Sequence, residues 1–522
     1  MVLRRILIVG ASRSLPKTNT AEVQVARTTG LKWGQGFVLV VLFTSAVCFA
    51  LRLVGVIDTD LWWHMAVGRW IALHGAIPYT EPFSGSETGK PFEAYSWLFE
   101  LIVFWFFQKF GLMGIVVFSS GMAVAIAATV HNLVRRLNST FLLGVGITFL
   151  SIFTMGRLYT PRPWLPSILF FALELNILMR ARKNGESREL YWLPIIFAIW
   201  VNIHIQFVDG LAVLGIALAE ALCATRFTAI QSNFRARRMT LIFAGCVAAT
   251  FVNPYGPRIY KVAYDLVAQG AGLTQLPELT AIPFRSIDDW CVLFFALAAT
   301  AVLARARTRS FFELVLLAFS IIISFRSQRD IWVLVVVGAA LLASNLAEHP
   351  EDRFLLKASS IPLLALGTVA FAALAFLGMG INTAELRAKL GQSLPVQAVD
   401  AIKDHGWTGP IYNDYGWGGY LIWSLQQPVS IYGRNTVYGV QKVLRSEATW
   451  NGYPGWDSDP DLLRANLIVA KRETQLVQLL RLQPCLQAAY EDQIAVVFIP
   501  RNAPGQAGDS TRSAFCAARM HQ

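Results

Sequence analysis

The chain has 522 residues, is 55% hydrophobic and only 15% charged, and has a mean hydropathy of +0.48. Soluble globular domains carry about 25% charged residues, so a soluble enzyme, a disordered chain and a collagen-like chain are excluded, and an integral membrane protein is indicated. The net charge of +12 fits the gathering of Lys and Arg on cytoplasmic loops. No basic stretch with interleaved aromatics stands out, so no nucleic-acid partner is expected.

A helix needs roughly 20 apolar residues to cross a bilayer core. The first such run is about 36–56. Ahead of it, in a basic segment 1–35, Arg4, Arg5, Arg13, Lys17, Arg27 and Lys32 face a single acid, Glu22, which places the N-terminus in the cytoplasm. Further spans are expected at about 112–133, 140–157, 164–180, 190–206, 208–224, 239–254, 290–304, 311–325, 330–346 and 356–378. With 95–110 as a helix lying in the outer interface, the arginine clusters at 135–136, 180–188, 226–238 and 305–309 all fall on the cytoplasmic side. The expected fold is therefore an α-helical polytopic membrane bundle over 36–380 of about eleven spans plus an interfacial helix. Its first outer loop is 57–94, and a C-terminal extracytoplasmic α/β domain follows over 381–522.

In that domain, 397–405 reads as an amphipathic helix and 409–413 and 429–432 as short strands. Segments 466–471 and 494–500 read as buried strands, with a helix at 473–483 between them. Cys485 and Cys516 are able to pair in an oxidising compartment. Cys48, Cys223, Cys246 and Cys291, in or beside apolar spans, read as plain buried thiols.

The most informative stretch follows the first span: Asp58-Thr-Asp60-Leu-Trp-Trp-His64-Met-Ala-Val-Gly68-Arg69, then His74-Gly75-Ala-Ile-Pro78. Two carboxylates one residue apart can share a cation or divide the roles of base and ligand. Asp60, His64 and Gly68 would line one face of a helix, and Trp62, Trp63 and Trp70 suit the headgroup level. The plain alternative is that Asp58 or Thr59 caps the helix. An Asp58, Asp60 and His64 set also offers ligands for Mg²⁺ or Mn²⁺.

Arg157, Arg162, Arg285, Arg326 and Arg329 fall at the outer ends of spans against the charge rule. Guanidinium forks match phosphate oxygens, which makes these arginines candidates for a lipid phosphate; snorkelling or pairing with Asp288, Asp289 or Asp330 is the alternative. Asn202, His204, Gln206 and Asp209 cluster at an outer turn and are expected to face a wet cavity. Glu174 is expected to be structural, towards the cytoplasmic end of its span and away from that cavity. Glu93 and Glu100 flank Ser96, which reads as a helix cap. In the last third, Tyr412-Asn-Asp414-Tyr415-Gly416-Trp417-Gly-Gly419-Tyr-Leu-Ile-Trp423 and Tyr432-Gly-Arg434 combine glycines with aromatics. That mixture suits sugar rings, a membrane rim, or a plain turn against the bundle.

The acidic pair after the first span, the interfacial loop, the many spans and the external α/β domain resemble the GT-C glycosyltransferases, membrane enzymes that use polyprenyl-linked sugars. Asp58-x-Asp60-x-Trp-Trp-His64 with Gly68, His74-Gly75 and Pro78, together with Arg162-Pro163, Asn202-x-His204, Asn253-Pro-Tyr-Gly256 and 413–423, resembles a group of bacterial multi-span glycosyltransferase-like proteins. The resemblance implies transfer of a sugar from a polyprenyl-phosphate or pyrophosphate donor to an envelope glycan, lipid or protein acceptor at the outer face of the bacterial inner membrane. It implies that Asp58 or Asp60 is the catalytic carboxylate, deprotonating the acceptor hydroxyl or orienting it through a metal, and that Arg157, Arg162, Arg285, Arg326 or Arg329 holds the donor phosphate. Around the sugar and acceptor it implies His64, Glu93, Asn202, His204, Asp414, Tyr415, Trp417 and Arg434. A transporter or flippase, or a non-catalytic envelope-assembly protein, are the competing readings.

Overall fold

The computed structural model describes residues 20–53, 57–184, 187–228, 230–270, 277–306, 310–349 and 358–501. The apolar two-thirds of the chain folds, in order, as α1 (Thr20–Leu53), α2 (Thr59–His74), α3 (Trp97–Leu137), α4 (Phe141–Thr154), α5 (Trp164–Asn184), α6 (Leu193–Trp200) and α7 (Phe207–Arg226). There follow α8 (Ala236–Ala249), α9 (Ile259–Gly270), α10 (Ile287–Arg305), α11 (Phe311–Arg326), α12 (Ile331–Asn345) and α13 (Ile361–Gly378). Among the described residues, six helical stretches are long and apolar enough to cross a membrane: Trp33–Leu53 of α1, α3, α5, α7, α10 and α13. The chain is a polytopic membrane protein. Helix α12 is buried at every position from Ile331 to Ala343, as befits a helix that is apolar all round. It packs against α3, α10 and α11.

Helix α3 is not a rod. Gly111 has φ 58° and ψ −145°, a backbone that side-chain-bearing residues avoid, and the chain doubles back there. The rings of Phe99 and Phe118 lie 6.0 Å apart, whereas a straight helix would separate those positions by roughly 28 Å. The segment expected at 95–110 is thus an arm folded against the following span.

Other expectations need correction. The run 190–206 is not one helix: a 3₁₀ turn (Arg188–Trp192) precedes the eight-residue α6, which carries Pro194 in its first turn and stops before the polar 202–206 turn. Glu174 is not remote from that turn. Its carboxylate lies so close to Gly210 in the first turn of α7 that a Cβ there would collide with it. Trp62 and Trp63 are 2% and 4% exposed, packed inside protein and not at a lipid rim. Helix α9 was not anticipated, because at twelve residues it is too short to resemble a span.

The last part continues with α14 (Thr383–Ser393), α15 (Val396–His405), β1 (Ile411–Asn413), α16 (Gly418–Leu425), α17 (Asn435–Trp450), α18 (Pro460–Leu463) and β2 (Leu467–Lys471). It ends with α19 (Gln475–Arg481), β3 (Leu486–Glu491) and β4 (Ala495–Pro500). The sheet order is β1-β2-β4-β3, with β1 parallel to β2 and the other pairs antiparallel. Period-two alternation sends Leu467, Val469, Ala495 and Val497 into the main core and Ile468, Ala470, Val496 and Phe498 into a second, smaller one. β3 went unrecognised because its half-exposed pattern lacks an apolar run. Segment 429–432 forms only isolated bridges, from Val429 to Ser84 and to Ile411. Cys485 is disulfide-bonded; Cys516 lies outside the described residues. Cys48, Cys223, Cys246 and Cys291 are free thiols, and of these only Cys246 is buried.

Glycines join this domain to the bundle. A Cβ at Gly419 would press on the Thr59 carbonyl at 2.9 Å and the Trp63 nitrogen at 3.1 Å, and one at Gly433 would strike the Asp60 carboxylate. The absence of side chains there lets the domain's backbone settle against the first turn of α2.

Candidate active site

Helix α2 begins on its acid. Asp58 accepts the Asp60 amide at 3.0 Å as N-cap, and its other oxygen accepts Arg162 Nε at 2.7 Å. One Arg162 Nη contacts Asp60 at 2.7 Å and Glu278 at 3.1 Å. Arg162 is placed by the Pro-Arg-Pro turn before α5 and lies over the Trp164 ring, 4.9 Å from its centroid. Capping therefore explains Asp58 only in part, and Asp60 not at all.

Three carboxylates around one guanidinium leave two net negative charges when all are ionised. Asp58 is 7% and Arg162 15% exposed, against 22% for Asp60 and 37% for Glu278, so the cluster opens at the last two. Burial pushes the Asp60 carboxyl up to about 6; Arg162 opposes this, while Asp58 and Glu278 reinforce it. Burial weakens the Arg162 charge, yet the surrounding acids hold its pKa well above the ordinary value. Tyr415 faces the same charges: burial and then Asp60 and Glu278 push its phenol up, and the hydroxyl donates to Asn435 Oδ1 at 2.6 Å.

A buried layer adjoins this cluster through Gly433. His64 Nδ1 meets Glu100 at 3.1 Å. Arg434, 3% exposed, lies 3.9 Å from the same carboxylate and donates to the Glu93 carbonyl. Its guanidinium also covers the rings of Phe92, Tyr95 and Trp63 at 4.1, 5.0 and 5.3 Å. Burial, then Arg434 and Arg162, hold His64 well below the usual histidine range, so its imidazole is neutral. Burial raises the Tyr95 phenol, Arg434 opposes this and Glu100 adds to it, with smaller effects from Arg329 and Asp60.

The structure brings together Asp58, Asp60, Arg162 and Tyr415, and disperses the rest. Arg157 is held by Asp288 at 2.9 Å and Asp289 at 2.6 Å and ties its turn to the start of α10. Arg285 and Arg326 are exposed and show no side-chain partner among the described residues. Arg329 has Asp330 at 3.7 Å, and its Nε makes no hydrogen bond. Asn202 is fully used: its oxygen accepts the Trp97 indole at 2.7 Å, and its amide nitrogen donates to the carbonyls of Ala198 and Val252. His204 pairs with Ser167 at 2.9 Å. The Glu93 carboxylate meets Arg258 at 2.8 Å, and Ser96 occupies the cap position of α3 without making the cap bond.

Asp414 caps the 3₁₀ turn Tyr415–Trp417 and pairs with Lys471 at 2.7 Å. Trp417 is 2% exposed, with its indole donating to the Ser393 carbonyl, so it stacks on protein and not on a sugar. Arg434 is likewise a buried tie. The face carrying His64 and Gly68 is a packing face, since Gly68 abuts the Glu100 backbone.

A divalent cation does not fit this arrangement. Arg162 occupies the inner oxygens of Asp58 and Asp60, His64 turns to Glu100, and among the described residues no group of three or more His, Cys, Asp or Glu is disposed to hold a metal. Glu278 and Tyr95 are the residues that sequence reasoning missed. Glu278 is a single acid in a loop and carries no motif; Tyr95 lies just past the first outer loop and carries no charge to mark it.

Fold and site together define a polytopic membrane protein with an acidic site where the bundle meets a small α/β domain. No family model matches the chain, and no curated protein matches it. Among solved structures it is similar to one described as "Crystal Structure of ArnT from Cupriavidus metallidurans in the apo state", at 14% identity and a TM-score of 0.42, over 90% of this chain and 98% of that one. A likeness this distant leaves the chemistry to be read from the chain itself.

Proposed function

We propose that this chain is an integral membrane glycosyltransferase. It would move a sugar from a polyprenyl-phosphate or pyrophosphate donor to an envelope glycan, lipid or protein acceptor outside the cytoplasm, with the N-terminus cytoplasmic and the α/β domain extracytoplasmic. The observation that carries the reading is the Asp58–Arg162–Asp60 cluster: one acid fixed as a cap, the other partly exposed and tuned towards neutrality.

Asp60 is the base. A carboxyl with a pKa near 6 is mostly ionised at pH 7 and still basic enough to take the proton of an acceptor hydroxyl as it attacks. The new bond joins that oxygen to the anomeric carbon. The bond from that carbon to the phosphate oxygen breaks, and its electron pair leaves on the polyprenyl phosphate. Arg162 positions the two aspartates; with three acids on it, it has no free charge for an incoming phosphate. Arg329, with an unbonded Nε and Asp330 no nearer than 3.7 Å, is the better holder of the leaving phosphate, where charge develops.

The test is incubation of the purified, reconstituted chain with radiolabelled polyprenyl-phosphate sugars and an envelope extract as acceptor. Turnover of donor by the wild type, lost in Asp60→Asn while the variant still folds, is the expected result. Movement of intact donor across the bilayer would make the protein a transporter. Binding without either would make it an assembly factor.

A further inference from the structure

Away from the acidic site, a groove of about 450 Å³ runs along the side of α1. Val41, Ser45, Cys48 and Arg52 form a helical stripe along it, Phe49 flanks it, and Phe371 of α13 faces it. Phe371 also meets Phe37 of α1 edge to face, with ring centroids 5.9 Å apart. The groove is almost wholly apolar, and its one charge is Arg52, in the last turn of α1 at the domain end of the bundle. Arg52 is exposed and has no ion-pair or hydrogen-bond partner among the described residues.

We infer that this groove binds an anionic phospholipid of the leaflet on the domain side, with its phosphate on Arg52 and one acyl chain along α1. Two features select this occupant. From Val41 to Arg52 the groove spans roughly 16 Å of helix, close to half of the roughly 30 Å hydrocarbon core, the depth of one leaflet. An arginine at that height, left without a protein carboxylate, complements a phosphate headgroup. A much longer polyprenyl chain would overrun the trough.

The test is native mass spectrometry of the full chain in detergent, titrated with phosphatidylglycerol or with phosphatidylcholine of the same chains. The wild type should hold one phosphatidylglycerol, with about fivefold preference over phosphatidylcholine, as one basic side chain near an anionic headgroup gives. Arg52→Gln should erase the preference, Arg52→Lys should keep it, and Ser45→Trp, which fills the trough from its lipid-facing wall, should remove the adduct of either lipid. Equal binding of both lipids by the wild type, or an unchanged preference in Arg52→Gln, would overturn the inference. So would displacement of phosphatidylglycerol by polyprenyl phosphate at equal concentration, which would hand the groove to the sugar donor. Asp60→Asn should bind the phospholipid normally, so this result stands apart from the transfer assay.

Discussion

Two arginines ringed by acids sit at opposite ends of the bundle, and they do different work. Arg182, at the end of α5, contacts Glu313 at 3.0 Å and Glu220 at 3.4 Å and donates to Ser310 Oγ at 2.6 Å. Glu220 also accepts the Phe312 amide at 2.8 Å and the Ser232 hydroxyl at 3.2 Å. Its side chain is 0% exposed and that of Glu313 9%. Donors there match acceptors, and both acids are shut away from solvent. Around Arg162 there is a third acid, no serine hydroxyl or backbone amide among the described residues donates to the Asp60 or Glu278 carboxylate, and those two open outwards. The same constellation is a staple where every acceptor has its donor, and a reactive centre where charge and exposure are left over.

Changing each cluster should expose that difference. The largest effect is expected for Asp60→Asn: transfer should fall by about 10²–10⁴-fold, the usual worth of a general base, while the thermal unfolding midpoint stays put. A comparable drop in the midpoint would place Asp60 with the structural knot. Arg182→Ala should do the reverse. Leaving Glu220 buried and unpaired should cost about 3–5 kcal/mol, read as loss of folded protein in denaturant titration, with activity per folded molecule preserved.

Smaller effects sharpen the picture. The transfer rate should be flat above about pH 7 and fall as pH drops through about 6, because protonation removes the base; the raised pKa of Asp60 sets that limb. Glu278→Gln removes a negative neighbour that favours the protonated form, so the acid limb should move to lower pH by a fraction of a unit. A shift to higher pH would show that Glu278 does not act on Asp60. Asp58→Ala should lose a helix cap as well as an arginine partner. Asp58→Ser, which can still cap, should recover about 1 kcal/mol of stability without restoring activity, as measured by unfolding and transfer side by side.

Much of this was legible from the residues. The acidic pair stood out because Asp58-x-Asp60 follows directly on a span, and helix capping and chain position are local properties. The strands at 466–471 and 494–500 were legible because both faces of the central β2 and β4 are buried, which leaves continuous apolar runs. Strand β3 and helix α9 were not, since a half-exposed pattern resembles loop. The arginines were the hard case. Five fell at the ends of spans, and nothing in their neighbourhoods told Arg162 from Arg157, which is neutralised by two aspartates at the start of α10.

The sequence by itself determined the membrane class, the place where the first helix gives way to an acidic turn, and the glycines that admit a second backbone. These depend on apolar run length and on residues within a turn of one another. Which groups face the aspartates was decided only by the tertiary structure. Arg162 is 104 residues from Asp58 and 116 from Glu278, and electrostatics acts across space without regard to that separation. Whether an arginine is a free charge or a spent one depends on which carboxylates the packing of helices brings within about 4 Å of it.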